Sequence, residues 1–284
     1  MIKITETPRD GMQGLIHFIP TKNKIKYINA LLQCGFDTLE TGSFVSPRAI
    51  PQMADTGEVL NNLKDKPATT KIAVLVANEK GGTLAKEYDI VDKIFYPFSV
   101  SPTFLKKNLN TTLEKGENTI DFLQNLCVEC NKELVVYLSL AFGNPYSDAW
   151  SIDLVSEWIQ KLMQKGIYHI KLAETIGDVD AEVIQKVCAA IIPEFPRVEF
   201  GFHTHSIPGK GTQKVNAAFT AGIRHFDTVL GGLGGCPMTG HEMVPNLDLT
   251  ELLDFCHTKG LNCNVNEGKL VLAKQKMAGI IFKQ

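Results

Sequence analysis

Two rhythms of apolar and polar residues alternate along this chain. Short β-rich runs occur at Lys3–Glu6, Thr38–Gly42, Lys71–Ala77, Lys93–Phe98, Leu134–Leu140, His169–Ala173, Glu199–His203 and His225–Leu230. Between them, apolar residues recur at helical spacing over Thr21–Gln33, Ala54–Leu63, Thr112–Asn131, Ile152–Lys165, Ala181–Ile192 and Gly211–Ala221. A period of two predicts strands and a period of 3.6 predicts helices. Thr21, Ser151 and Asp180 stand where helix N-caps are wanted. Gly35, Gly166 and Gly222 fall between a helix and the next strand, as C-terminal glycines do. Strict β/α alternation predicts a parallel sheet, and eight units in 284 residues predict an α/β protein closed into a (β/α)8 TIM barrel. No G-x-G-x-x-G follows the first strand, which weakens an open dinucleotide-binding sheet. No linker or charge block divides the chain. Residues 1–284 are therefore expected to form one TIM-barrel domain, with the last twenty or so residues as a closing helix.

Composition narrows the partners. The chain is 44% hydrophobic and 21% charged, with a net charge of −2 and a pI near 6.4. No basic field exists to hold nucleic acid or an anionic membrane. The longest apolar stretch, residues 134–142, is too short to span a bilayer. The N-terminus shows no signal or transit pattern, so a cytoplasmic protein is expected. The seven cysteines are scattered and expected to be reduced. Cys127 and Cys130 form a C-x-x-C inside a helical stretch with no second pair, which reads as helix packing rather than a metal site.

Chemically capable residues gather at the ends of the predicted strands. Pro8-Arg9-Asp10-Gly11 follows the first, Glu40 ends the second, Glu174 follows the sixth, His203 and His205 end the seventh, and Cys236 follows the glycine-rich loop after the eighth. In a closed parallel barrel those ends converge on one mouth. The starts of the same strands are mostly plain, with Lys3, Lys71 and Lys93. An i, i+2 pair on a strand points both rings to one face, so His203 and His205 can share a cation with Asp10 supplying charge. The bland reading is a pair of hydrogen-bonded polar residues in a loop. Arg9 would keep Asp10 ionised and can stabilise a developing oxyanion. Cys236, on its Gly234-Gly235 hinge, can serve as nucleophile or proton carrier. Lys106-Lys107-Asn108, after the fourth strand, can attract a phosphate or simply be solvated. His17, His169, His225, His241 and His257 show no comparable constellation and read as structural or exposed.

Pro8-Arg9-Asp10-Gly11-Met12-Gln13, Glu40-Thr41-Gly42-Ser43-Phe44-Val45-Ser46-Pro47, His203-Thr204-His205 and Gly231-Gly232-Leu233-Gly234-Gly235-Cys236-Pro237 resemble the hydroxymethylglutaryl-CoA lyase family, among the metal-dependent barrel lyases and Claisen-type synthases. The resemblance runs from residue 2 to about residue 255. It implies cleavage of 3-hydroxy-3-methylglutaryl-CoA, or a close 3-hydroxyacyl-CoA, to acetyl-CoA and acetoacetate. It also implies Mg²⁺ or Mn²⁺ held by Asp10, His203, His205 and Asn246. Arg9, Cys236, Asp10 and His203 become the expected catalytic residues. Gln13, Glu40, Glu174 and Asn108 are expected to contact the substrate or support the residues that do. The partner is an acyl-CoA, and a homodimer is expected. The chain departs from the family at Thr5, Glu174, Ser206, Thr250 and the loop from Pro237 to Pro245, which bears on the acyl group accepted. A synthase joining acetyl-CoA to a 2-oxo acid is the alternative. It shares only Arg-Asp and H-x-H and normally carries a further C-terminal region. A third reading is a barrel used only for binding.

Overall fold

The computed structural model describes residues 1–235 and 244–281. Eight parallel strands close into a barrel in chain order: β1 (Lys3–Glu6), β2 (Thr38–Ser43), β3 (Lys71–Leu75), β4 (Lys93–Ser99), β5 (Glu133–Ser139), β6 (His169–Glu174), β7 (Glu199–Thr204) and β8 (His225–Thr228). The helices are α1 (Pro8–Gln13), α2 (Thr21–Leu32), α3 (Thr56–Asn61), α4 (Glu79–Lys86), α5 (Pro102–Leu109), α6 (Leu113–Glu129), α7 (Ile152–Gln164), α8 (Ala181–Glu194), α9 (Gly211–Thr220), α10 (Leu249–Lys259) and α11 (Glu267–Ile281). All eight predicted strands are present, with ends shifted by one or two residues. Among the described residues no helix is long and apolar enough to cross a membrane.

Helix α7 shows how local sequence sets an element. Val155, Trp158, Ile159 and Leu162 are buried at helical spacing, and the Ser151 side chain caps the helix by accepting from the Leu154 amide. Such a cap contributes roughly 1 kcal/mol. Thr21 does not act this way. Pro20 occupies the N-cap, Thr21 is the first helical residue, and no side chain caps α2. Asp180 stands at the N-cap of α8 without a side-chain bond. Helices α1, α4, α5 and α10 were not marked by apolar period. The first three span only 6, 8 and 8 residues, too few turns to show a clear repeat. Helix α11 closes the structure against α2. Cys127 is buried and Cys130 half-buried, both as free thiols.

The barrel interior is divided. From β3, β4 and β5 it is filled by Ala73, Leu75, Phe95, Val135 and Tyr137. From β1, β6 and β8 it receives Thr5, Lys171 and Asp227, all buried. Lys171 Nζ donates to Asp227 Oδ1 at 2.6 Å and to Thr5 Oγ1 at 3.0 Å, and lies 4.5 Å from the centre of the Phe95 ring. Gly201 leaves room for that stem, since a Cβ there would lie 2.8 Å from Lys171 Cγ. Burial opposes the charge on Asp227, but Lys171 and then His203 outweigh it and hold the carboxyl far below its usual range. A charged seam thus runs through half of the barrel and leads to the mouth.

Glu6 closes the seam between β1 and β8. It accepts from the Leu230 amide at 2.6 Å and from Thr228 Oγ1 at 2.8 Å. Burial pushes its pKa from 4.5 up to about 8, against the pull of those two hydrogen bonds. The folded chain therefore keeps a proton that the unfolded chain has released. The contribution of Glu6 to stability is full below about pH 4.5 and is lost by roughly 1.4 kcal/mol per unit up to about pH 8. Glu6→Gln, which mimics the protonated acid, is expected to remove this slope in urea titrations at pH 5 and pH 8. An unchanged slope would assign the pH dependence elsewhere.

Candidate active site

The residues at the C-terminal ends of the strands surround a cavity of about 520 Å³. Arg9, Asp10 and Gln13 reach it from α1, Asn108 from α5, Tyr137 from β5, and His203 and His205 from the end of β7. Its other wall is apolar, with Val45, Ile50, Leu75, Pro97 and Phe104. The segment Pro8–Gln13 is a short helix with proline at its start. Proline is suited to that position because its fixed φ matches the first helical turn. The turn puts Arg9 and Asp10 side by side and brings Gln13 back over them.

Arg9 is a buried hub. Its Nε and Nη2 donate to Glu40 Oε1 at 2.9 and 2.7 Å, and its Nη1 donates to Asp10 Oδ1 at 3.0 Å and to Gln13 Oε1 at 2.8 Å. Gln13 Nε2 also donates to Asp10 Oδ1, at 2.6 Å. Burial works to raise the Asp10 pKa, but Arg9, then His203 and His205, overcome it and keep the carboxyl below its ordinary range. Asp10 is thus an anion at neutral pH. Glu40 behaves differently. Burial raises its pKa more than Arg9 lowers it, and its Oε2 is buried with no hydrogen-bond partner.

The two histidines sit at ring-centroid separation 5.1 Å. His203 Nδ1 lies 3.3 Å from Asp227 Oδ2, a close polar contact rather than an aligned hydrogen bond. Tyr137 OH donates to the same Oδ2 at 2.7 Å. Asp227 and Tyr137 were not anticipated. Their only sequence signal is a polar atom in the middle of a buried strand, which a barrel interior accepts only when paired. Burial, then the neighbouring His203, pushes His205 down to about 3. It is neutral, and its Nδ1 is buried without a partner.

Asn246 joins the site through a bridge to His205. Its Nδ2 donates to the Leu233 carbonyl at 2.8 Å, while its Oδ1 is buried without a partner. An unsatisfied buried acceptor costs about 1–3 kcal/mol, so two such atoms beside an ionised Asp10 form a set that a hard divalent cation would satisfy. Carboxylate, imidazole and amide donors suit Mg²⁺ or Mn²⁺. Asp10, His203 and His205 share one cavity, yet their ligand atoms do not all lie within 4.8 Å of one another. Among the described residues that compactness is met only by His169, Glu199 and His225, at the starts of β6, β7 and β8. The expectation that the strand starts are plain, and that His169 and His225 lack a constellation, is corrected by this grouping. Three first-of-strand residues meet once the barrel register aligns them.

Two of the residues expected to contact the substrate or support those that do take the supporting position. Glu174 and Glu40 do not line the cavity. Glu174 Oε2 accepts from Lys214 Nζ at 2.7 Å and Thr204 Oγ1 at 3.0 Å, and its Oε1 accepts from the Gly177 amide at 2.7 Å. Lys214 also donates to the His205 carbonyl at 2.9 Å. Glu174 therefore fixes the backbone that presents His205, and Glu40 fixes Arg9. Gln13 and Asn108 do line the cavity. Lys106 and Lys107 are exposed, with Lys106 donating to Asn110 and Lys107 over the Tyr146 ring. Cys236 lies outside the described residues.

The loop after β8 touches this site. Gly234 has φ +81°, and a Cβ there would lie 2.6 Å from the Asp10 carbonyl oxygen and 3.1 Å from Asn246 Nδ2. Gly234→Ala would force apart α1 and Asn246, and would place a side chain in a left-handed conformation costing about 1–2 kcal/mol. It is expected to lower turnover at least tenfold with weakened Mn²⁺ binding. Wild-type turnover in this variant would show that the close approach is dispensable.

Comparison with known proteins agrees with this geometry. The HMGL-like family profile matches residues 2–276. Human mitochondrial hydroxymethylglutaryl-CoA lyase is 32% identical over 273 residues, covering 96% of this chain and 83% of that protein. Human cytoplasmic 3-hydroxy-3-methylglutaryl-CoA lyase is 31% identical over 273 residues, covering 96% of this chain and 73% of its own. An HMG-CoA lyase from Acinetobacter baumannii, solved with coenzyme A and 3-methylmalate, superposes with a TM-score of 0.91 at 27% identity, covering 99% of this chain and 91% of that one. The Bacillus subtilis HMG-CoA lyase gives a TM-score of 0.91 at 29% identity, covering 98% and 93%.

Proposed function

The chain belongs to the HMG-CoA lyase family of carbon–carbon lyases, and from that premise we propose that it cleaves 3-hydroxy-3-methylglutaryl-CoA, or a close 3-hydroxyacyl-CoA, to acetyl-CoA and acetoacetate. The observation that supports this most is the meeting of Arg9, Asp10, His203 and His205 on one cavity. Asp10, His203, His205 and Asn246 are the residues that would hold Mg²⁺ or Mn²⁺. When bound, such an ion supplies Lewis acidity that lowers the pKa of the substrate's 3-hydroxyl.

The rest falls to the chain's own groups. Transfer of the hydroxyl proton to His203, the base assigned here from the cavity wall, turns the C3–O bond into a carbonyl and breaks the C2–C3 bond, leaving its electron pair as the enolate of acetyl-CoA. Arg9, fixed by Glu40, is placed to neutralise the thioester enolate oxygen as charge develops there, and a preorganised cation needs no reorientation to do so. Asp227 holds the His203 ring and sets which nitrogen faces the cavity. The apolar wall formed by Val45, Ile50 and Phe104 keeps water from the enolate. Cys236 is proposed to return a proton to the enolate carbon. The A. baumannii relative was solved with coenzyme A, which supports an acyl-CoA as the partner here.

The test is product identification after incubating Mg²⁺- or Mn²⁺-loaded protein with 3-hydroxy-3-methylglutaryl-CoA. Equimolar acetyl-CoA and acetoacetate are expected. Inertness toward this thioester together with condensation of acetyl-CoA and a 2-oxo acid would replace the lyase reading with a synthase.

A further inference from the structure

The end of the barrel opposite the mouth carries a second constellation that the lyase reaction does not use. His169, Glu199 and His225 open β6, β7 and β8, and one ligand atom from each lies within 4.8 Å of the other two. His169 and Glu199 are register partners on adjacent strands. The two imidazole rings lie 5.2 Å apart, centre to centre. Both histidine side chains are almost wholly buried, at 2% and 3% exposed. Yet His169 Nε2 and His225 Nδ1 have no hydrogen-bond partner. Two orphaned ring nitrogens side by side, with a carboxylate next to them, are costly unless something accepts from or binds to them.

We propose that His169 Nε2, His225 Nδ1 and the Glu199 carboxylate form a binding site for a divalent transition metal of the Zn²⁺ class at the floor of the barrel, separate from the cation site at the mouth. Two imidazoles and one carboxylate with a fourth position open is an established donor set for Zn²⁺. Imidazole-rich sites favour such metals over Mg²⁺. Tetrahedral bonds of about 2.0–2.1 Å place ligand atoms roughly 3.3–3.4 Å apart. His225 Nδ1 and Glu199 Oε1 are already 3.4 Å apart, and the ligand atoms of all three residues lie within 4.8 Å of one another.

The surroundings orient both rings. His169 Nδ1 lies 3.1 Å from Glu133 Oε1 and 3.4 Å from Lys93 Nζ; the shorter carboxylate contact favours the proton on Nδ1 and so the lone pair on Nε2. This carboxylate–histidine arrangement is the usual support behind a metal-binding imidazole. His225 Nε2 lies 2.7 Å from Thr5 Oγ1; with Nε2–H donating to that hydroxyl, the Nδ1 lone pair faces Glu199. Burial pushes His225 down to about 4 and lowers His169 as well, so neither must lose a proton to bind at neutral pH. A cavity of about 350 Å³, lined by Glu133, Tyr168, His169, Arg197 and Glu199 among others, reaches two of the three residues from outside. The opposing charges are modest. Lys3 Nζ holds Glu199 Oε1 at 2.8 Å, but both side chains are nearly half exposed and such a pair contributes little. Lys93 is matched by Glu133 and Lys171 by Asp227. An ion here would staple the starts of three consecutive strands.

The test is Zn²⁺ titration of the full chain carrying His203→Ala, or Asp10→Asn should that variant not fold, so that the mouth is disabled. One Zn²⁺ per chain is expected, with a rise in melting temperature, and Co²⁺ is expected to give visible absorption bands of low-symmetry coordination. Adding Glu199→Gln, at a half-exposed side chain, is expected to weaken Zn²⁺ at least tenfold and abolish the bands, as is His225→Gln, with the melting temperature of the metal-free variants as the folding control. In the otherwise unaltered chain, Glu199→Gln is expected to leave Mg²⁺-supported turnover within twofold. No Zn²⁺ uptake in the mouth-disabled chain, or equal affinity with and without Glu199→Gln, would overturn the proposal while leaving the mouth and its reaction untouched.

Discussion

Asp10→Asn is expected to reduce turnover by about a thousandfold or more while leaving the fold intact. The substitution keeps the shape of the side chain and removes the one full negative charge in the set Asp10, His203, His205 and Asn246. Arg9 retains Glu40 as its partner, so no buried cation is stranded. What is lost is affinity for the divalent ion and, with it, several kcal/mol of charge stabilisation in the transition state. Each 1.36 kcal/mol is a factor of ten in rate. His203→Ala is expected to act alike, leaving Asp227 still paired with Lys171 and Tyr137. Steady-state kinetics at raised Mn²⁺, with the melting temperature as a control for folding, checks both. Activity that survives in chelator-treated buffer would refute the role given to these residues.

The second large effect concerns Arg9. Arg9→Met strands Glu40 in the barrel with neither oxygen paired, and breaking a buried pair costs about 3–5 kcal/mol. Glu40 would then take up a proton on folding, so the loss grows as pH rises through the usual carboxylate range. Turnover is expected to fall by about 10²–10³, the effect of removing one oxyanion partner. The pair Arg9→Met with Glu40→Gln separates the two roles. Neutralising both partners is expected to recover much of the stability and none of the rate. A double variant that regains turnover would make Arg9 a packing element only.

These effects differ in how visible their causes were. The strands were legible because each is a short apolar run bounded by turns, and the barrel followed from counting them. Asp10, His203 and His205 were legible because a parallel barrel gathers strand ends, whatever their separation in sequence. The helical form of Pro8–Gln13 was not, since Pro-Arg-Asp-Gly reads equally as a turn and six residues show no period. Lys171 and Asp227 were hidden because each is a single charge inside a strand, and only closure of β6 against β8 through β7 shows that they neutralise each other. Glu174 looked like a substrate contact from its place at a strand end. Its partner Lys214, forty positions on, lies in a helix whose inner face the sequence does not reveal. The floor cluster was missed for the same reason. His169, Glu199 and His225 are unremarked as single residues and become a site only through register.

The physical theme is a barrel whose interior is half apolar and half charged. The seam Thr5–Lys171–Asp227 holds His203 from beneath, Glu40 holds Arg9 from the side, and Glu174 with Lys214 holds the backbone of His205. The mouth is thus preorganised by pairs that are each neutral overall, which limits the cost of burying them.

The most direct measurement is an anomalous-difference map from crystals of the Mn²⁺-loaded protein, collected at the manganese edge. The expected result is a peak at the mouth within bonding distance of Asp10, His203, His205 and Asn246, absent in Asp10→Asn. A mouth without manganese, in crystals of protein that cleaves the thioester in the same Mn²⁺ buffer, would contradict the account.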